Sequence, residues 1–119
     1  MRRLMLIGLA AALLVFAAPA VAGTGVSAHA ARSCSPPKYP GSGYFTSLSV
    51  KKVSCATGRK LALAYYRCRT ARSRAGRCHK RVLRYSCSEH RESISTEIDG
   101  RVTCRRGSRR IIHSYQQNI

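Results

Sequence analysis

Polar and apolar residues alternate over Tyr44–Val50, with Tyr44, Thr46, Leu48 and Val50 on one side and Phe45, Ser47 and Ser49 on the other. This predicts a strand with one better-buried face. Lys51-Lys52 then turns the chain and the period lengthens. With Ser54 as N-cap, residues Cys55, Gly58, Leu61, Ala62, Tyr65 and Cys68 share one arc at about 100° per residue, while Lys60 and Arg67 fall opposite. The expectation is an amphipathic helix with a thiol at each end of its inner face. Gly58 costs about 1 kcal/mol of helix propensity, and on the inner face it would let the helix lie close against a sheet.

Strand spacing returns at Val82–Cys87, which sets Leu83, Tyr85 and Cys87 on one face, and again at Arg101–Arg105, where Val102 and Cys104 share a face. Arg110–Tyr115 predicts the last strand, and Ile94, Thr96 and Ile98 are expected to form one further short strand. Asp99-Gly100 is a hairpin signal and Arg106-Gly107-Ser108-Arg109 a second turn. One amphipathic helix packed on a small antiparallel sheet gives an α+β domain, expected over residues 44–119. Residues 23–43 are rich in Gly, Ala, Ser and Pro and lack periodicity, so they are expected as a flexible lead-in.

The chain opens with Met1-Arg2-Arg3, an apolar run from Leu4 to Phe16, and a small-x-small site at Ala20-Val21-Ala22. That pattern predicts a cleavable signal peptide over residues 1–22 and a secreted, extracellular location. A membrane anchor needs roughly 20 uninterrupted apolar residues, and Pro19 ends this run early. Cys34 follows Ala31-Arg32-Ser33 rather than an apolar lipobox, and Arg2-Arg3 reads as an ordinary positive start rather than a twin-arginine signal.

Cleavage after residue 22 would leave 97 of the 119 residues and all six cysteines: Cys34, Cys55, Cys68, Cys78, Cys87 and Cys104. An even count in a short exported chain predicts three disulfides, with about fifteen pairings open. A domain of this size buries only about 60 to 65% of its unfolded surface, so cross-links worth roughly 2 to 4 kcal/mol each are expected to be a condition of its stability. Cys68 and Cys78 flank nine residues between the helix end and the next strand, and a bridge there would staple a loop. A meander would set Cys87 beside Cys104 and leave Cys34 for Cys55. If residues 93–98 form a strand between them, Cys55 becomes the competing partner.

Charge changes the picture most. The chain holds 22 Lys and Arg against 4 acids, a net +18, and only Arg2 and Arg3 would leave with the signal peptide, so a net +16 remains. Residues 67–81 hold seven of the cations and no acid. A stapled loop is expected to present Arg69, Arg72, Arg74 and Arg77 outward, with Lys80 and Arg81 following, as a fixed anion-binding surface. Arginine outnumbers lysine 17 to 5, and guanidinium groups suit bidentate phosphate binding. The expected partners are polyanions: envelope polymers, acidic lipid headgroups or extracellular nucleic acid. Codon bias toward arginine, or selection for solubility, would produce the same composition. Export and the lack of a basic helix free of cysteines argue against sequence-specific DNA reading, and a monomer is expected.

Val53-Ser54-Cys55-Ala56-Thr57-Gly58 opening a helix, Tyr85-Ser86-Cys87 in a strand, Val102-Thr103-Cys104-Arg105-Arg106-Gly107 before a turn, and the ending Ser114-Tyr115-Gln116-Gln117-Asn118 occur in this order. In that order they resemble small secreted cysteine-containing proteins of high-GC actinobacteria, with a Ser-Cys-x-x-Ala-type helix start followed by a β-meander. The likeness covers residues 44–118 and implies a fold and a location; these proteins have no assigned activity, so it transfers no catalytic residue. Gly58 stands where the resemblance implies a small residue such as Ala.

Other chemistry is weaker. Cys87-Ser88-Glu89-His90, with Cys78-His79 and His113, has one zinc-like couple, whereas structural zinc sites pair two couples of deprotonated ligands. No metal and no cofactor is expected. A ribonuclease-like phosphodiesterase would use His79, His90 or His113 with Glu89, Glu92 or Glu97 and an arginine, but nothing in the sequence sets a histidine opposite a carboxylate. A cationic antimicrobial or toxin role would require a free amphipathic helix with a large apolar face, which is missing. Tyr65, Tyr85 and Tyr115 are expected in the core, and Tyr39 and Tyr44 near the lead-in could stack on bases, but two tyrosines do not make a stacking platform. A non-catalytic binder of anionic polymers or surfaces at the cell envelope is the expected function.

Overall fold

The helix begins where its cap is. In the computed structural model, which describes residues 14–19 and 30–119, the Ser54 hydroxyl accepts the Thr57 backbone N–H at 3.1 Å, satisfying one of the orphan donors of the first turn. Helix α1 runs over Cys55–Thr70 and buries Gly58, Leu61, Ala62, Tyr65 and Arg69. The segment expected as a signal peptide lies mostly outside the described residues, as does the expected lead-in up to residue 29. Among the described residues no helix is long and apolar enough to cross a membrane.

Five antiparallel strands form the sheet: β1 (Arg32–Ser33), β2 (Gly43–Lys51), β3 (Ser86–Ile94), β4 (Glu97–Arg106) and β5 (Arg109–Asn118). Their order is β1-β2-β5-β4-β3, with β5 in the middle. Helix α1 packs across β2 and β5, and Val82 and Tyr85, from the segment after the helix, join the same apolar cluster. The core is built from Leu48, Val50, Ile98, Val102, Ile111 and Tyr115 of the sheet with Leu61 and Tyr65 of the helix. This is an α+β fold with one helix on an antiparallel sheet, stabilised by three disulfides.

Those disulfides join Cys34 to Cys55, Cys68 to Cys78 and Cys87 to Cys104. Cys87 and Cys104 face each other directly in the β3–β4 register, with Cα atoms 4.0 Å apart. Such face-to-face positions bring side chains close enough to bond without moving the strands. All six cysteines are paired, which places folding in an oxidising environment.

Four local expectations are corrected. Residues 32–41 are not a flexible lead-in: β1 pairs with β2, Cys34 is bonded to the helix start and Tyr39 is buried in the core. Prolines 36, 37 and 40 erase any periodicity there, and the order comes from long-range contacts that periodicity does not register. In β2 a bulge at Thr46 shifts the alternation, so that Phe45 rather than Tyr44 falls on the side of Leu48 and Val50. Tyr44 is left 66% exposed.

Asp99-Gly100 is not a turn. The chain reverses at Ser95-Thr96, between the paired Ile94 and Glu97, so Ile94 closes β3 and Ile98 belongs to β4. Gly100 sits mid-strand opposite Tyr115, where a Cβ would come within 2.3 Å of the ring. The glycine makes room for an aromatic ring rather than for a reversal. Finally, Val82–Tyr85 is a tight reversal, with mutual backbone hydrogen bonds of 3.0 and 2.8 Å. Leu83 and Arg84 both take positive φ, 49° and 68°, at its centre, so Val82 and Tyr85 turn inward and Leu83 outward.

Gly58 meets the sheet closely: a Cβ there would lie 2.6 Å from Val50 Cγ1. Helix propensity alone would make Gly58→Ala stabilising by about 1 kcal/mol, whereas overpacking against a stiff, buried valine costs roughly 1 to 3 kcal/mol. The expected result is net destabilisation by about 1 kcal/mol in urea unfolding. In a Val50→Ala background the same change should become neutral or stabilising.

Candidate anion-binding groove

The Cys68–Cys78 loop is held from the inside as well as by its staple. Arg69, expected on the outer surface, is instead 2% exposed. It lies one position past Cys68, where the helix arc turns it under the loop. Its guanidinium donates to the Tyr39 hydroxyl, to Gln117 Oε1 at 2.7 Å and to the Arg74 carbonyl at 3.3 Å. It also sits 4.0 Å over the centroid of the Tyr115 ring. Gln117 Nε2 donates to the same Arg74 carbonyl at 2.7 Å.

A second guanidinium completes the anchor. Arg91, on β3, donates to the carbonyls of Ala75 and Gly76 at 2.8 and 2.7 Å and pairs with Glu89 at 2.7 Å. The Arg91 and Glu89 side chains are only 6% and 4% exposed. Tyr115 donates its hydroxyl proton to the other Glu89 oxygen at 2.7 Å. Burial and that hydrogen bond push the Tyr115 phenol above its usual range, and burial lifts Tyr65 to about 12 and raises Tyr39 against the pull of Arg69. These phenols therefore stay protonated at neutral pH, and Tyr115 remains a donor. Gly76 is needed because a Cβ there would lie 2.1 Å from the Arg69 carbonyl oxygen.

With its backbone pulled inward, the loop forms one wall of a groove of about 910 Å³ whose other wall is the C-terminal half of α1. Arg67, Arg72, Arg77, His79, Lys80 and Arg81 line it, and Ala64, Val82 and Leu83 supply apolar surface. No Asp or Glu lines the groove among the described residues. Arg77 alone reaches an acid, 3.5 Å from Glu89, and its side chain is still 51% exposed. Arg72, Arg77, Lys80 and Arg81 are thus brought together; Arg74 is exposed on the loop outside the groove and contributes its carbonyl to the anchor. Arg67, expected only as part of the helix's polar side, joins the wall because that side faces the returning loop. Low-dielectric walls lined by one sign of charge focus the field on whatever enters.

The described histidines lie apart. His113 is buried on β5, edge-on to Phe45 and Tyr65, and its Nδ1 has no hydrogen-bond partner. His90 and Glu92 form an exposed pair on β3 at 4.0 Å, and His79 lies in the groove. Glu89, the carboxylate nearest the groove, is committed to Arg91 and Tyr115. Among the described residues no three His, Cys, Asp or Glu side chains gather as a metal site would require.

Removing the charge of Glu89 leaves Arg91 buried without its counter-ion. Glu89→Gln is expected to cost roughly 3 kcal/mol in denaturant unfolding and to speed hydrogen exchange at residues 74–77. His113 supplies a pH dependence: burial, and secondarily Arg69, lower it to about 4 from 6.5. The unfolded chain then binds the extra proton first, so stability is full above about pH 6.5 and falls as pH drops toward 4. Between neutral pH and about pH 4.5 the loss due to this group is roughly 2 kcal/mol, and His113→Leu should remove that part of the slope. No protein-family model, curated protein or solved structure matches the chain, so the groove's own residues carry the functional reading.

Proposed function

We propose that the protein is secreted behind a cleavable signal peptide and acts, without catalysis, as a monomeric binder of phosphate-bearing anionic polymers at or outside the cell envelope. The observation that carries this reading is the groove between α1 and the stapled loop, in which Arg67, Arg72, Lys80 and Arg81 stand without a carboxylate. Cations that lack internal partners keep their interaction energy for a ligand, and a loop fixed from beneath spends little conformational entropy when the ligand arrives. Three disulfides and the hydrophobic start of the chain support export. Phosphate contacts of this kind position a polymer without reading its sequence.

Binding to a single-stranded polynucleotide should fall linearly in log–log form as salt rises, the signature of counter-ion release. Replacing Arg67, Arg72, Lys80 and Arg81 together by serine should reduce the slope by up to about 3, at roughly 0.7 per phosphate contact. Binding that is insensitive to salt, or an unchanged slope in the quadruple variant, rejects the groove as the contact surface.

A further inference from the structure

Like charges placed directly opposite one another across a sheet are destabilising, yet this chain stacks them. In the outer row at the end of the sheet Lys51 faces Arg110, and Arg110 faces Arg105. Next to this row, Arg106 faces Arg109 across the Gly107-Ser108 hairpin, where Gly107 takes φ 58° at the first central position of a two-residue turn. Lys51, Lys52, Arg105, Arg109 and Arg110 surround a concavity of about 240 Å³ with no acid in its lining. None of the five pairs with a carboxylate among the described residues; the acids Glu92 and Asp99 face each other near the far end of the sheet.

A second observation points the same way. Lys52 is held at φ 60° in the turn between β2 and α1, a conformation unfavourable for a residue with a Cβ, and strain of this kind gathers at binding sites. Lys52 lines the same concavity. Five cations converge on a space suited to a compact anion, whereas the groove suits an extended one.

We propose that this hairpin end is a second anion site, independent of the groove, that takes a compact, multiply charged phosphate group. The hairpin concavity lies before the start of α1 at Lys51 and Lys52, whereas the groove runs along the C-terminal half of that 16-residue helix. The ligand supplies the negative charge that the cross-strand row lacks. A phosphate group at this end would come from a polymer also held in the groove or from a free small anion, since the chemistry recognised is the same.

Pyrophosphate titrated at low ionic strength into the disulfide-bonded protein, followed by amide chemical shifts, tests this. Saturable shifts are expected at Lys51, Lys52 and residues 105–110. Arg110→Thr should weaken that set about tenfold, the loss of one charge-assisted contact, while shifts at residues 67–83 stay as in the wild type. Arg105→Thr, at the exposed end of the row, should do the same and serves if Arg110→Thr fails to fold. Arg101→Thr removes an equal charge from the middle of β4, outside the row, and should leave the affinity unchanged. Equal weakening by Arg101→Thr and Arg110→Thr would reduce the effect to net charge and overturn the site, as would no saturable shift at the hairpin. Long-chain polyphosphate moving both sets of residues together with tighter affinity than pyrophosphate identifies a polymer, and equal affinity at the hairpin identifies a free small anion. Because the two ends are read separately, loss of groove binding with the hairpin shifts retained counts against the proposed function alone.

Discussion

The fold depends on two guanidinium groups turned inward beneath a loop whose charged residues are all of the same sign. A loop of nine residues between Cys68 and Cys78, three of them exposed arginines, has little apolar surface with which to hold itself against a cationic domain. Arg69 and Arg91 hold it by its backbone instead, donating to the carbonyls of Arg74, Ala75 and Gly76. Carbonyl oxygens accept from a guanidinium without adding a carboxylate to the loop. The fastening therefore leaves the outward charge of the loop intact, which a surface salt bridge would not.

Burying guanidinium groups is costly unless each is fully partnered, and the sheet provides the partners. The inner-face residues of β5, from Ile111 to Gln117, change from apolar at the helix start to hydrogen-bonding beneath the loop. Ile111 packs in the core, Tyr115 both packs and donates, and Gln117 accepts from Arg69 and Tyr39. Tyr39 reaches this cluster only because Cys34–Cys55 and the short β1 pairing bring the proline-rich segment back over the sheet. The bridge at the helix start thus contributes to the anchor at the helix end through the chain between them. The four acids are distributed to match: Glu89 is inside the anchor, and Glu92, Glu97 and Asp99 lie toward the far end of the β3–β4 hairpin. Apart from Arg77, which reaches Glu89, the cations lining both concavities are consequently left without a carboxylate partner among the described residues.

Much of this was legible in the sequence because it rests on local periodicity. Ser54, the inner arc of α1 and the Arg106–Arg109 turn each follow from short-range spacing, and Cys68 and Cys78 are close enough in sequence for a loop to join them. What escaped has long-range causes. Gly100 looks like half of a turn because glycine is uncommon inside strands, and only the ring of Tyr115, fifteen residues on, explains it. The bulge at Thr46 exchanges the sides of Tyr44 and Phe45 relative to Leu48 and Val50 without any residue that announces it. Arg69 is chemically identical to its neighbours in the arginine run; its inward role follows from the helix continuing past Cys68, which puts position 69 on the arc of Leu61, Ala62 and Tyr65. Extending that arc by one residue was the available signal.

The groove and the hairpin end differ in how they withstand their own charge. At the groove, repulsion is resisted by a covalent staple and by hydrogen bonds that pull the loop backbone inward, so the cationic wall is fixed whether or not anything is bound. At the hairpin end the cations are held only by the strand register itself, and the nearest bridge, Cys87–Cys104, ties β3 to β4 without involving β5 or β2. Screening by salt weakens repulsion between exposed charges over roughly 10 Å, so the free energy of the hairpin end depends on its ionic surroundings more than that of the groove does. A polyanion that reached both ends would meet one surface already in place and another whose own repulsion it relieves, and by linkage each contact would raise stability according to its affinity for the folded chain.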